Sequence, residues 1–302
     1  MNSTAMPGVI TPTSSPDTIC AASAPGRWTR HTAVRTLLAV LAVCLPVALV
    51  LVIAAQITDK NLRMHWPPLL AAMLGVWGYR VYLRRVERRG AEELGTAGWT
   101  REAMTGGLIG TVMFLVAFGL IAATADYQVA GTGTWNMLAK TMTEMIFIAI
   151  IEELVFRGIL FRIPERALGT WSALGLSCAL FALAHLPNHE VTVLAVVNTA
   201  LAGVMFTAAY LATRRLWLPI GLHFAWNFVS AGILSLPTSG NPGRGLLQGQ
   251  VTGPEWLTGG AYGIEGSVVT LVVFALASVL LLWRAHRAGQ VRSRADVRRM
   301  AA

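Results

Sequence analysis

Met145-Ile-Phe-Ile-Ala-Ile-Ile-Glu152-Glu153-Leu-Val-Phe-Arg157 sets an apolar run directly ahead of two carboxylates and a guanidinium. The surrounding segment 137–162 is long enough to cross a bilayer core of about 30 Å as a helix, which satisfies its own backbone polar groups. An ionisable side chain at mid-bilayer costs about 2.5–3.5 kcal/mol even on lenient scales, so this cluster needs a reason. Glu153 and Arg157 are four residues apart, share a helical face and are ordered for pairing, with the carboxylate on the N-terminal side. Glu152 points about 100° away from Glu153, outside that pair. A carboxylate kept in such surroundings suits general base and acid work.

The rest of the chain explains why such a segment belongs in lipid. Of 302 residues only 13% are charged, about half the usual soluble share, and the mean hydropathy is +0.58. These values argue against a soluble fold. Apolar runs recur at 36–57, 67–83, 106–124, 137–162, 171–186, 191–212, 216–236 and 267–284. They predict an all-α, polytopic membrane helix bundle of about eight transmembrane helices. Residues 1–30 are rich in Ser, Thr, Pro and Ala and predict a disordered tail. The first run has no small-residue cleavage site and reads as a signal anchor.

The net charge of +9 raises the question of nucleic-acid binding, and the placement of the basic residues answers it. Eighteen Lys and Arg fall in alternate connections, around Arg35, Arg84–Arg101, Arg162–Arg166, Arg214–Arg215 and Arg284–Arg299, against four in the others: Lys60, Arg63, Lys140 and Arg244. The positive-inside rule then predicts both termini in the cytoplasm. Basicity here reports topology and contact with anionic lipid headgroups at the cytoplasmic face; no nucleic acid is expected as a partner.

Cys20, Cys44 and Cys178 have no metal-ligand spacing and suggest no disulfide framework. The connection 85–105 has the composition of an interfacial segment. Residues 237–265, rich in Gly and Pro, form the longest loop and are expected outside, with no function legible in them.

Two further polar clusters lie in apolar runs: Phe181-Ala-Leu-Ala-His185 and His223-Phe-Ala-Trp-Asn227. Each pairs residues four apart on one face, and Leu186-Pro187 should end the helix that carries His185. Taken alone, His185 reads as a helix-end group and His223 with Asn227 as interhelical hydrogen bonding. Counted from the cytoplasmic ends of the runs, Glu152 lies about 15 Å deep, His185 about 21 Å, His223 about 10 Å and Asn227 about 16 Å. His185 is the outlier. A carboxylate, two imidazoles and a carboxamide are the groups a water-activating acyl-transfer site uses: a base, its partner and oxyanion donors.

Together the motifs Glu-Glu-x-x-x-Arg, Phe-x-x-x-His and His-x-x-x-Asn resemble those of the CPBP family of membrane endopeptidases, which includes type II CAAX prenyl endopeptidases and bacteriocin-processing or immunity proteins. The resemblance spans roughly 137–233, in family order. It implies that Glu152, assisted by His185, activates a water against a peptide bond, while His223 and Asn227 stabilise the oxyanion. Glu153 and Arg157 would orient these groups, with Phe181 packed beside the histidine. It further implies a membrane-associated peptide or protein substrate, no cofactor, and a multi-pass protein of a bacterial plasma membrane. The expected divisions are a tail at 1–34, three helices over 35–135, a catalytic core of helices four to seven over 136–236, and an external loop, last helix and basic tail over 237–302.

Three rivals use the same residues. Glu152, Glu153, His185 and His223 are the candidate ligands of a zinc protease, although His189-Glu190 is followed by Val193 where a zinc helix needs its second histidine. A transporter would line its path with such groups, but no symmetric pair of broken helices is found. A silent immunity scaffold on the same fold is the third. Ser177 and Cys178 lack the elbow of a serine or thiol nucleophile.

Overall fold

The computed structural model describes residues 31–59 and 65–301. The tail 1–30, with Cys20, Arg27 and Arg30, and the pair Lys60 and Arg63 lie outside the described residues, so the expectations placed on them stay as such. The main elements are α1 (Thr32–Gln56), α2 (Trp66–Tyr82), α3 (Trp99–Ala122), β1 (Asp126–Thr132), α4 (Trp135–Glu153), α5 (Arg162–Leu168), α6 (Thr170–His185), α7 (Val193–Thr213) and α8 (Trp217–Asn227). They are followed by β2 (Leu247–Thr252), a short α9 (Glu255–Thr258), α10 (Val268–Arg287) and α11 (Arg294–Ala301). Of these helices α1, α3, α7 and α10 are long and apolar enough to cross a membrane, and α6 is apolar but shorter. The chain is a helical membrane protein.

Local chemistry sets several boundaries. Pro67 and Pro68 open α2, where a missing N–H costs nothing. Thr134, Thr192 and Ser267 cap α4, α7 and α10 by accepting from Met137, Ala195 and Thr270 backbone N–H groups at 3.2, 3.1 and 3.0 Å. α3 and α8 cross with Gly106 against the Leu218 carbonyl and Gly221 against the Ala103 carbonyl, where a Cβ would collide with backbone. Such small-residue contacts let helices approach closely where no water drives them together.

Three expectations need correction. The run 137–162 is not one α-helix: α4 ends at Glu153, a π-helical segment Leu154–Phe161 follows, and α5 begins at Arg162. The run 216–236 likewise passes from α8 into a π-helical segment, Phe228–Ile233. The run expected at 106–124 begins earlier, since α3 starts at Trp99, and the connection ahead of it holds a single 3-10 turn at Glu92–Leu94. One short two-stranded pairing accompanies the helices, β1 antiparallel to β2 with Asp126 opposite Thr252.

The connections sort into two groups at opposite ends of the helices. At one end Arg35 and Arg162 reach Glu87 at 3.4 and 2.7 Å, Arg214 reaches Glu165 at 2.5 Å, and Thr170 N–H donates to the Arg292 carbonyl at 2.9 Å. At the other end β1 meets β2, His65 meets Asn136 at 2.9 Å, and Asn188 donates to the Ser239 carbonyl at 2.8 Å.

Candidate active site

Glu153 is the hub of the site. Its side chain is fully buried, and its Oε1 takes Arg157 Nη1 at 2.9 Å and His223 Nδ1 at 2.9 Å. Arg157, also fully buried, donates from Nη2 to the Gly203 carbonyl of α7 at 3.2 Å. Its guanidinium carbon stands 4.6 Å from the Phe181 ring centroid, 5.0 Å from Phe206 and 5.9 Å from Phe156. A guanidinium tolerates such burial because aromatic faces attract it while the carboxylate holds it.

The π-helical segment after Glu153 is pinned from outside. The Gly158 carbonyl accepts from Arg162 Nε at 2.8 Å and from the Tyr79 hydroxyl at 3.1 Å. Tyr79 also donates to Glu93, and Arg162 binds Glu87 through both terminal nitrogens at 2.9 and 2.7 Å. Burial alone would push the Glu87 carboxyl up, but Arg162 and Arg89 override it and hold it at about 2. This ionic knot at the arginine-rich end anchors the π-helical segment and the start of α5.

α6 delivers His185 to the level of Glu152. Ser177 donates to the Phe156 carbonyl at 3.1 Å, and the Phe156 and Phe181 rings meet edge to face at 4.8 Å. From that register Glu152 is one turn back toward the start of α4 and His185 two turns on along the antiparallel α6, a difference of about 6 Å that the side chains span. The depth offset counted from sequence therefore closes. His185 Nδ1 donates to the Phe181 carbonyl at 2.8 Å, since a carbonyl can only accept. His185 Nε2 and His223 Nε2 each lie 3.9 Å from Glu152 Oε2. That is too long for a direct hydrogen bond and suits an atom held between.

Glu152, unlike its neighbour, keeps 27% of its side chain exposed, into a cavity of about 290 Å³ that it shares with His185, His223 and Asn227. All four candidate catalytic residues line this space. Phe181 packs tilted against His185 at 4.5 Å, as expected of a residue beside the histidine. Among the described residues no three His, Cys, Asp or Glu side chains form an arrangement suited to a metal ion. Glu153 in particular is committed to Arg157 and His223. Cys178 is buried and Cys44 partly buried, both free thiols.

Two contributors were not legible in the sequence. Phe206 of α7 lies flat on the His223 ring, centroids 4.5 Å apart and planes at 20°; nothing distinguishes it among the apolar residues of its helix. Glu265, from the loop read as featureless, accepts from Trp226 Nε1 at 2.8 Å and from the Ser239 N–H and hydroxyl at 2.5 and 2.7 Å. It thereby ties the connection after α8 over the cavity. A carboxylate just ahead of the last apolar run was the available signal.

Residues 134–229 match a family model described as type II CAAX prenyl endopeptidase Rce1-like. This region is Rce1-like. It contains all three polar motifs, and with them the site just described, so the resemblance to the CPBP and CAAX endopeptidases stands. The apolar helices fit a membrane protein, and residues 134–229 are similar to the CAAX-processing proteases that this family model describes. No curated protein and no solved structure matches the chain.

Proposed function

We propose that the chain is an intramembrane endopeptidase in which Glu152 activates water. The observation that carries this reading is the convergence of two imidazole Nε2 atoms on Glu152 Oε2, in a cavity also lined by Asn227. Each ring has its Nδ1 committed as a donor, His185 to Phe181 and His223 to the arginine-paired Glu153, so each presents Nε2 to the cavity. A water between Glu152 Oε2 and His185 Nε2 donates one hydrogen to each. As its oxygen attacks the carbonyl carbon, the proton passes to Glu152 and the carbonyl becomes an oxyanion. Asn227 donates to that oxyanion, and His223, held at Nδ1 by Glu153, stands beside it. Glu152 then returns the proton to the departing amine as the carbon–nitrogen bond breaks, leaving one new carboxyl and one new amine.

The same reading includes eight crossings by α1, α2, α3, α4, α6, α7, α8 with its π-helical extension, and α10. The arginine-rich end and both termini then face the cytoplasm, where the arginines meet anionic headgroups. The location is the plasma membrane of a bacterium, and the substrate is a membrane-associated peptide or protein. Proteomics of membrane peptides from cells carrying the wild type or Glu152→Gln tests the activity. Cleavage products present only with the wild type support it, and identical peptide sets in both strains defeat it.

A further inference from the structure

We infer that the site takes its substrate from the membrane face opposite the arginine-rich end, and that the substrate is an internal stretch of a membrane-tethered peptide standing outside the cytoplasm. This rests on the peptidase reading of the site. The cavity reaches from Glu152 and His185 to a rim made by Asn188, Thr238, Ser239 and Asn241. Every rim residue belongs to connections at the β1–β2 end. Thr141 of α4 donates to the Arg244 carbonyl at 2.5 Å, the Gly133 N–H donates to the Leu246 carbonyl at 2.8 Å, and the Gly240 N–H donates to the Tyr262 carbonyl at 2.9 Å. Glu152 is eleven residues beyond Thr141 along α4, so the site lies about 16 Å in from that contact.

Toward the arginine-rich end the way is closed by packing. Glu153 and Arg157 have no exposed side-chain surface, and neither do Tyr79, Ile159 and Phe161. Beyond them stand the ion pairs of Arg35, Arg89, Arg162, Arg214 and Arg215. Among the described residues Lys140 and Arg244 are the Lys and Arg of the β1–β2 end. The charge asymmetry places the arginines in the cytoplasm, so the cavity mouth faces away from it.

The rim also says what kind of peptide fits. It offers carboxamides and hydroxyls, which match backbone amides, and neither Lys nor Arg lines the cavity to pair with the carboxylate of a chain end. Glu265 holds Ser239 in place through its N–H and hydroxyl, and Asn188 holds its carbonyl, so the rim is braced from two sides. An extended segment laid across it presents an interior peptide bond to Glu152.

Access can be read without any substrate. Full-length protein with Cys20, Cys44 and Cys178 replaced by Ala would carry Asn241→Cys at the rim, Ala184→Cys beside His185, or Arg294→Cys at the arginine-rich end. Intact spheroplasts would be treated with a membrane-impermeant cationic thiosulfonate, and folding checked by elution in detergent. The expected result is modification of Asn241→Cys and Ala184→Cys in intact spheroplasts, and of Arg294→Cys only after permeabilisation. Modification of Ala184→Cys only after permeabilisation, or not at all in folded protein, overturns the inference. The same labelling in a Glu152→Gln background separates the two readings, since it reports access and is independent of catalysis.

Discussion

Glu153 Oε1 lies 2.9 Å from His223 Nδ1 and is shared with Arg157, whereas no direct hydrogen bond joins the adjacent Glu152 to either imidazole. One turn of chain thus carries two carboxylates with different work: one holds the helices α4, α7 and α8 together, the other faces the cavity. Glu152→Gln keeps the shape and removes only an ionisable group, so expression and Tm should stay near wild type while cleavage falls by about 10²–10⁴. Glu153→Gln strands a buried guanidinium and should cost about 3–5 kcal/mol of stability. Thermal melts in detergent beside turnover of a cleaved peptide separate the two; full turnover by Glu152→Gln removes it as the base.

Asn227→Ala should behave like Glu152→Gln in kind. Loss of one oxyanion donor lowers kcat by about 10²–10³ and leaves KM little changed. A variant whose KM rises while kcat holds would make Asn227 a binding group instead.

Phe206 is flanked by His223 and Arg157, and its face serves both. Phe206→Leu keeps most of the volume but removes the π surface, with an expected loss of about 0.5–2 kcal/mol in stability and a fall in kcat as His223 loses its orientation. Phe206→Tyr should retain both properties more closely. Equal activity of Leu and Phe at this position would show that the ring contributes packing alone.

Peptidase activity should survive strong chelators and metal-free purification. Glu153 is already occupied by two cationic or donor partners, and Asn227 is a better oxyanion donor than metal ligand. Stoichiometric zinc, lost and restored together with activity, would replace this mechanism with a metal-dependent one.

The arginine-rich knot should be sensitive to acid. Glu87 is held down at about 2 by Arg162 and Arg89 against an ordinary value of 4.5. A carboxyl depressed in the folded state contributes its full stability above the unfolded value and loses it as pH falls from about 4.5 toward 2. Tm should therefore drop across that window, and Glu87→Gln should lower Tm at pH 7 while flattening the acid slope. An unchanged slope in Glu87→Gln would assign the acid response to other groups.

Much of this molecule is written in local spacing. Apolar runs long enough for lipid, the alternation of arginines between connections, and residues four apart on one helical face follow from the geometry of a single helix. The Glu153–Arg157 pair and the shared faces of Phe181 with His185 and of His223 with Asn227 were legible for that reason. Tertiary structure decided the rest. Whether His185 reaches Glu152 depends on the register that Ser177 and Phe156 impose between two helices. The π-helical segment is held by Tyr79 and Arg162, which both donate to the Gly158 carbonyl. Asp126 and Thr252 meet only because the helices between them return to one end, and Phe206 and Glu265 enter the site from segments with no polar motif of their own. Such contacts join residues far apart in sequence, and no periodicity within either partner encodes them.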